Sequence, residues 1–138
     1  MRRFFDTNVL VYLFDASDPG KKGRARELLT QAVADGAALL STQVLQEFFV
    51  AVTRKLSAPL PHDDAERAVR DLAVLPVVQV DAEMILTSIA TMRRYQLSFW
   101  DGLIVQAALQ GGATVLYTED LSHGQAIETL TIENPFRN

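Results

Sequence analysis

Four acidic side chains stand within or beside apolar stretches of this 138-residue chain, and their type suits them for chemistry. They are Asp6, Glu47, Asp101 and Asp120. Asp6 shows the pattern most clearly, because Phe5 precedes it and an apolar run from Val9 follows. Burying an ionised carboxylate without a partner costs several kcal/mol. We therefore expect Asp6 to have a strong partner or an opening to water.

The chemistry open to these four carboxylates is that of a hard divalent cation. Oxygen ligands without sulfur or imidazole favour Mg²⁺ or Mn²⁺ over zinc. The chain has no cysteine, and neither of its two histidines is suitably placed. Two ions about 3.5–4 Å apart would stabilise the attacking and the leaving oxygen of an in-line phosphodiester displacement. Carboxylates that converge would therefore predict phosphodiester hydrolysis with metal-activated water.

Short apolar segments alternate with amphipathic ones along the chain, which predicts strands alternating with helices. The predicted strands are residues 3–5, 38–40, 77–80, 114–118 and 130–133, and the predicted helices are residues 9–14, 24–34, 43–56, 63–75, 82–95 and 98–111. Residues 18–20 are predicted as a turn, and a loop with a helical turn is expected before the last strand. Because the strands are apolar throughout, the fold class is α/β, a five-stranded parallel sheet with helices on both faces. One domain, residues 1–138, is expected.

Chain direction alone places the four carboxylates at one edge of that sheet. Asp6 ends the first strand, and Asp120 follows the fourth strand by two residues. Glu47 lies in the second turn of the helix that leaves the second strand. Asp101 lies in the first turn of the helix that returns the chain to the opposite edge. All four are expected at the carboxyl edge, where open α/β sheets place their chemistry.

Each acid also has a purely structural explanation. Asp6 and Asp120 could be turn residues, and Glu47 could be a solvated helix residue, although apolar neighbours surround it. Ser98 and Asp101 fit a capping box at a helix start. Taken together these explanations fit less well, because four like charges at one sheet edge repel each other and would be costly without a cation.

The remaining charge bears on possible partners. The net charge of −4 argues against broad affinity for nucleic acid, yet without the four acids the chain has 13 acidic and 13 basic side chains. A basic cluster could touch a polynucleotide backbone, although such clusters are more often solvated: Lys21, Lys22, Arg24 and Arg26. Neither a signal peptide nor a run near ~20 apolar residues is visible, so a cytoplasmic location without membrane contact is expected.

Four short motifs carry a resemblance that covers essentially the whole chain. They are Asp6-Thr7-Asn8, Gln46-Glu47-Phe48, Ser98-Phe99-Trp100-Asp101 and Thr118-Glu119-Asp120-Leu121. In order and spacing they resemble the four acidic motifs of the PIN domain. The closing segments Ser122-His123-Gly124-Gln125 and Asn134-Pro135-Phe136 are similar to those of the VapC type within that family. No single motif is very specific, but the four together are.

This resemblance implies an Mg²⁺- or Mn²⁺-dependent endoribonuclease, usually the toxin of a toxin–antitoxin pair and often a homodimer. Asp6, Glu47, Asp101 and Asp120 match the acidic quartet of the family, with Asp6 and Asp101 expected as the principal ligands. Asn8 and Thr118 match the polar supporting positions of the family. Thr7 and Asn8 are expected to orient Asp6 through hydrogen bonds. Ser98 is a further supporting residue, and whether Glu119 or Asp120 reaches the metal is open.

The implied antitoxin would cover the metal site. An arginine offered to the carboxylates would match them bidentately. Apolar surface on residues 9–14 and on the helix after Thr42 would form the rest of the groove.

The sequence supports other functions less well, and one of them stays open as an alternative. A haloacid-dehalogenase-like phosphatase needs a second acid at position 8, which is Asn8, and is rejected. A triad using Ser98 and His123 lacks the glycine-flanked elbow that exposes a nucleophile. The open alternative is a catalytically silent RNA- or protein-binding module with this fold. Three aromatic side chains could stack on bases, although core packing is favoured: Tyr95, Phe99 and Trp100.

Overall fold

The chain folds around a six-stranded sheet whose central strands are the first and the fourth. In a computed structural model, which describes residues 1–137, the strands are β1 (Arg2–Phe5), β2 (Ala38–Ser41), β3 (Val77–Val78), β4 (Ala113–Tyr117), β5 (Ala126–Ile127) and β6 (Leu130–Glu133). Their order across the sheet is β3-β2-β1-β4-β6-β5. All neighbours pair in parallel except β5 and β6, which are antiparallel. The predicted α/β class is confirmed.

Six helices connect these strands within the described residues. They are α1 (Thr7–Val11), α2 (Pro19–Ala34), α3 (Thr42–Arg54), α4 (His62–Leu72), α5 (Ala82–Tyr95) and α6 (Phe99–Gln110), and a single 3₁₀ turn over Tyr12–Phe14 extends α1. Several begin at a side-chain cap directly after a strand or turn. Ser41 and Asp81 accept from the backbone N–H three residues on, at 3.3 and 2.9 Å. Such caps fix where each helix leaves the sheet. Among residues 1–137, no helix is both long and apolar enough to cross a membrane.

The core lies on both faces of the sheet. Phe4 and Phe5 are adjacent in β1 and so point to opposite faces, yet both are fully buried. Leu116 on β4 and Phe48 on α3 are fully buried as well. Burying each such side chain stabilises the fold by about 1.5–3 kcal/mol. This packing holds the carboxyl ends of β1, β2 and β4 in fixed positions.

The sheet has one strand more than the five predicted. The expected loop with a helical turn instead contains β5, which forms a hairpin with β6. Two apolar residues are too short a signal to predict such a strand. The strand predicted over residues 77–80 stops at Val78, because the N–H of Val80 donates to the Thr42 hydroxyl at 3.1 Å instead of continuing the ladder.

The turn predicted over residues 18–20 is the first turn of α2. Asp18 caps this helix by accepting from the N–H of Lys21 at 3.1 Å, and Pro19 occupies the first helical position. Proline is well suited there, since its missing N–H would have no partner in any case. The helix therefore starts five residues before the predicted residue 24.

Close packing of α6 on α5 sets the position of the Asp101 backbone. A Cβ atom added to the next residue, Gly102, would lie 3.2 Å from the Met92 Cβ and 3.2 Å from the Ser88 carbonyl oxygen. Both distances are tighter than ordinary contact, so a Cβ at this position would push the two helices apart by a few tenths of an ångström. The start of α6 is thereby held against α5.

Candidate active site

The four candidate acids line one cleft of about 700 Å³. Its wall comprises Asp6, Thr7, Asn8, Val11, Tyr12, Asp15, Gln43, Gln46, Glu47, Val50, Ala51, Lys55, Leu56, Trp100, Asp101, Ile104 and Asp120. The cleft therefore brings together residues that follow β1, β2 and β4 with the first turn of α6. Ser98, Thr118 and Glu119 do not line it, although each contacts a residue that does.

Asp6 is the most constrained of the four. It caps α1 at the end of β1, and the residue is only 4% exposed. Its Oδ1 accepts from the N–H of Thr7 at 2.7 Å, and its Oδ2 accepts from the Thr118 hydroxyl at 2.8 Å. The strand register produces the second bond: Phe5 pairs with Tyr117, so the residues after them lie side by side. Both carboxylate oxygens are thus held in place.

Burial and crowding make negative charge costly in this cleft. Burial raises the pKa of Asp6 to about 7, hydrogen bonds from Thr118 and Thr7 oppose the rise, and the charges of Asp120 and Glu47 add to it. Burial also raises the pKa of Asp101, with the Ser98 hydroxyl opposing and the same two charges adding. These acids are therefore close enough to repel each other.

The raised pKa of Asp6 predicts how the stability of the metal-free protein depends on pH. An unfolded aspartate has a pKa of about 3.9, so between about pH 4 and 7 the folded state holds this proton more tightly than the unfolded state. Its stabilising contribution is complete below about pH 4 and is lost as pH rises through 7. At about 1.4 kcal/mol per pKa unit, the loss reaches roughly 4 kcal/mol at most. Thermal melts in EDTA should show Asp6→Asn gaining stability relative to wild type over this range. A stability difference between Asp6→Asn and wild type that does not change with pH would contradict the raised pKa of Asp6.

Thr7 links two of the acids. Its N–H binds Asp6, while its hydroxyl donates to Glu47 Oε1 at 2.7 Å. Thr7 was predicted to orient Asp6. Only the backbone N–H of Thr7 does so, and the side chain of Thr7 positions Glu47 instead. The carboxylate of Glu47 also accepts from Gln43 Nε2 at 3.2 Å. Both oxygens of Glu47 are thus bound from neighbouring residues.

Asn8 was expected to orient Asp6 as well, but its side chain binds Asp120. Its Nδ2 donates to Asp120 Oδ2 at 2.9 Å, and its Oδ1 accepts from the N–H of Glu119 at 3.3 Å. The Thr118 hydroxyl, which donates to Asp6, also accepts from the N–H of Asp120 at 3.1 Å. Asn8 and Thr118 therefore join the Asp6 side of the cleft to the loop after β4.

Glu119 and Asp120 face different surroundings. Asp120 lines the cleft, whereas the carboxylate of Glu119 accepts from the Lys21 ammonium group and, at 2.7 Å, from the Tyr12 hydroxyl. Lys21 in turn lies over the ring of Phe136, 5.4 Å from its centroid. These contacts hold Glu119 away from the other acids, which favours Asp120 as the residue that serves the site.

This difference predicts unequal effects for two neighbouring substitutions. If the cleft hydrolyses phosphodiesters, as the sequence predicts, Asp120→Asn should lower that activity at least about tenfold, because it removes a carboxylate from the cleft wall. Glu119→Gln should retain most activity and cost about 1 kcal/mol of stability at most, the value of a partly exposed ion pair. Cleavage rates and melting curves of both variants check this. Greater loss of activity in Glu119→Gln would reverse the assignment.

Asp101 remains compatible with both of its explanations. The Ser98 hydroxyl oxygen accepts from the N–H of Asp101 at 3.1 Å, so the Ser98 half of the capping box is present. At the same time Asp101 lines the cleft. A helix cap and a cleft-facing carboxylate can coexist, so only variants that remove each half separately, Ser98→Ala and Asp101→Asn, can distinguish the two roles.

Half of the basic cluster is engaged inside the molecule. Lys21 binds Glu119, and Arg24 Nε donates to the carbonyl oxygen of Pro135 at 3.1 Å. These contacts anchor α2 to the loop after β4 and to the end of the described chain. Among the described residues, the side chains of Lys22 and Arg26 form no hydrogen bond or salt bridge, so about half of the cluster is free of such contacts and could meet a polynucleotide backbone.

The donor set in the cleft fits a hard cation, although the described residues 1–137 form no ready-made cage for it. Within residues 1–137, no three Asp, Glu or His side chains are arranged to hold one ion as they lie. Both histidines are elsewhere: the His62 ring packs 5.7 Å from that of Phe49, and His123 Nδ1 accepts from the N–H of Asn134. The four carboxylates enter no salt bridge within the described part of the chain. Their oxygen ligands and uncompensated charge suit Mg²⁺ or Mn²⁺.

Gln43 belongs to the site but was not among the residues predicted from the sequence. It is only 4% exposed, and its Nε2 donates to Glu47 Oε2 and, at 3.3 Å, to the carbonyl oxygen of Trp100. Its Oε1 is buried without a partner among the described residues. The four-residue spacing from Glu47 on α3 was the available signal, because residues at that spacing share a helix face.

Comparison with known proteins identifies the family and the fold of this chain. The family model of the PIN domain matches residues 3–126. A toxin–antitoxin complex from Klebsiella pneumoniae contains a chain of similar fold, with a TM-score of 0.70, 20% identity and 99% of each chain covered. The sarcin-ricin loop cleaving toxin VapC20 of Mycobacterium tuberculosis gives a TM-score of 0.65 at 20% identity, covering 86% of this chain and 89% of that one. VapBC2 from Rickettsia felis, bound to a promoter DNA fragment, gives 0.67 at 17% identity, covering 96% and 98%. No curated protein sequence matches.

Proposed function

Because the chain belongs to the PIN domain family, we propose that it is a divalent-metal-dependent endoribonuclease and the toxin of a type II toxin–antitoxin system. The observation that carries the proposal is the meeting of four carboxylates, from four separate segments, on the wall of one cleft. Hydrogen bonds from Thr7, Asn8 and Thr118 hold three of them there. A fold that only bound a partner would have no need to hold acids so that they repel each other.

The residues of the chain would divide the work as follows. Asp6 and Asp101 would be the principal ligands of Mg²⁺ or Mn²⁺, with Glu47 and Asp120 completing the shell. A bound ion would supply activation of water and stabilisation of the charge that develops on the phosphate. Thr118 and the N–H of Thr7 fix the carboxylate of Asp6, and the Thr7 hydroxyl and Gln43 fix that of Glu47. Each bound oxygen keeps a further lone pair for a ligand.

The proposed partner is an antitoxin that covers the cleft. Support comes from neighbours of the same fold that were solved as toxin–antitoxin complexes. The cleft matches such a partner chemically, since its carboxylates could take an arginine bidentately. Beside them lie Val11, on the predicted surface of residues 9–14, and Val50 of α3, which is 47% exposed. We also propose a homodimer, which the mass in light scattering would test.

The experiment that tests the enzymatic proposal uses purified protein and bacterial RNA. In Mn²⁺ we expect the wild-type protein to cut RNA into discrete fragments, and an Asp6→Asn variant to bind RNA without cutting it. The alternative, a catalytically silent binding module, predicts that wild type also binds and leaves the RNA intact. Intact RNA beside wild-type protein would favour that alternative.

A further inference from the structure

Trp100 is a large apolar side chain left in water at the rim of the cleft. It is 61% exposed, it lines the cleft, and it directly precedes Asp101 in the first turn of α6. Core packing, the role favoured from the sequence, is wrong for this residue. It describes Phe99 and Tyr95 better, because both pack partly buried against the core.

The main chain of Trp100 is anchored, and its exposed ring keeps one aromatic contact. Its ring meets that of Phe99 edge-on, with centroids 5.2 Å apart and planes at 75°. Its carbonyl oxygen accepts from Gln43 Nε2 at 3.3 Å, which ties it to the same side chain that positions Glu47. An aromatic side chain whose main chain is already anchored beside a site loses less freedom when a flat partner stacks on it.

From Trp100 the cleft continues along α3 to the positively charged side chain of Lys55. Glu47, Ala51 and Lys55 lie four residues apart and line one wall, so Lys55 stands about 12 Å along the helix from Glu47. Lys55 is exposed, and it forms no salt bridge with any residue in the described range 1–137. Carboxylates, an aromatic ring and a separate cation along one groove match a polynucleotide strand, which offers flat bases and regularly spaced phosphates.

We propose that Trp100 stacks on a nucleobase next to the phosphate that is cut, and that Lys55 contacts a phosphate further along the same RNA strand. The proposal rests on the proposed ribonuclease function and names the side chains that hold its substrate. Neither residue touches the reacting atoms, so both act on RNA affinity. A protein partner would be the other occupant for an exposed tryptophan, but the adjoining acids and the cation of the same groove favour a nucleic acid strand.

Trp100 is the only tryptophan in the chain, so its fluorescence reports directly on the site. We would titrate an Asp6→Asn protein in Mg²⁺ with a random-sequence pool of single-stranded oligoribonucleotides, and follow binding separately by anisotropy of labelled RNA. Stacking predicts quenching of Trp100 fluorescence that saturates together with the anisotropy. RNA binding that leaves the fluorescence unchanged would overturn the proposal.

Variants then test the energetic role. Trp100→Ala should weaken RNA binding about 5- to 150-fold, the range expected for loss of one base–aromatic stack. Trp100→Phe should retain most of the affinity. Leu86→Ala is the matched control, because Leu86 is 68% exposed on α5 and does not line the cleft. Lys55→Met should reduce the slope of log Kd against log salt by about 0.7, the contribution of one phosphate on a single strand.

A cleavage assay of the Trp100→Ala variant distinguishes the stacking proposal from the ribonuclease proposal on which it rests. Trp100→Ala should raise KM and leave kcat nearly unchanged. If the wild type cuts RNA and Trp100→Ala cuts it with the same KM, stacking is wrong and the ribonuclease proposal stands. If Trp100→Ala instead loses only self-association or binding to a protein partner, the tryptophan belongs to a protein interface. If the wild type neither binds nor cuts RNA, both proposals fail.

Discussion

Expression of this chain alone should arrest the growth of a bacterial host, and expression of an Asp6→Ala version should not. Asp6 is the buried carboxylate of the cleft, and contacts with Thr7 and Thr118 hold both of its oxygens. Removing Asp6 should lower RNA cleavage by at least about a hundredfold. Losing a residue that only supports a metal ligand costs up to about that much, and Asp6 is proposed to be a ligand itself. The measurement is the growth of cultures after induction, with protein levels compared by immunoblot.

The control for this growth experiment is Asp71→Ala. Asp71 is an exposed aspartate on α4, away from the cleft, so its loss changes the net charge equally without touching the site. We expect Asp71→Ala to arrest growth like wild type. Equal toxicity of wild type and Asp6→Ala at matched protein levels would count against a toxic activity centred on Asp6.

The second large effect is expected at Asp101, where a ligand role and a cap role predict opposite results. If Asp101 is a ligand, Asp101→Asn relieves repulsion from Glu47 and Asp120, so the metal-free variant should melt no lower than wild type. It should also lose most of the stabilisation given by Mn²⁺, which reaches about 2.7 kcal/mol at a hundred times Kd. Its cleavage should fall by at least about a hundredfold.

Ser98→Ala is the matched control for Asp101→Asn, because it removes the other half of the helix cap. It should cost about 1 kcal/mol of stability and retain substantial cleavage. Melting curves of both variants with and without Mn²⁺, beside a cleavage assay, decide between the roles. An Asp101→Asn protein with near-normal cleavage and normal Mn²⁺ stabilisation would return Asp101 to a capping role alone.

Much of the site could be predicted because it depends on chain direction. Apolar strands that alternate with helices imply a parallel sheet, and in such a sheet the residue after each strand lies at one edge. Asp6 needed no more than this, since it directly follows β1, and Asp120 was placed by the same reasoning just past the fourth strand, whereas the role of Thr118 came from the family resemblance. Glu47 required only the position of a capped helix directly after β2.

The details that the sequence could not provide depend on contacts between distant segments. Asn8 binds Asp120 across 112 residues, and the bond of Lys21 to Glu119 spans 98. No local periodicity encodes such pairs, because they depend on how a loop closes against a helix. The exposure of Trp100 was missed for a similar reason, since an aromatic residue at a helix start is compatible with either core or surface.

The four-carboxylate cleft is expected to cut RNA only with a divalent cation. The most direct test is to strip the purified protein with EDTA, assay cleavage of bacterial RNA, and then add back Mn²⁺ or Mg²⁺ in excess over the chelator. We expect no cleavage in EDTA, recovery of the wild-type rate on adding the metal, and no recovery for Asp6→Asn. Cleavage that persists undiminished in EDTA would contradict the account.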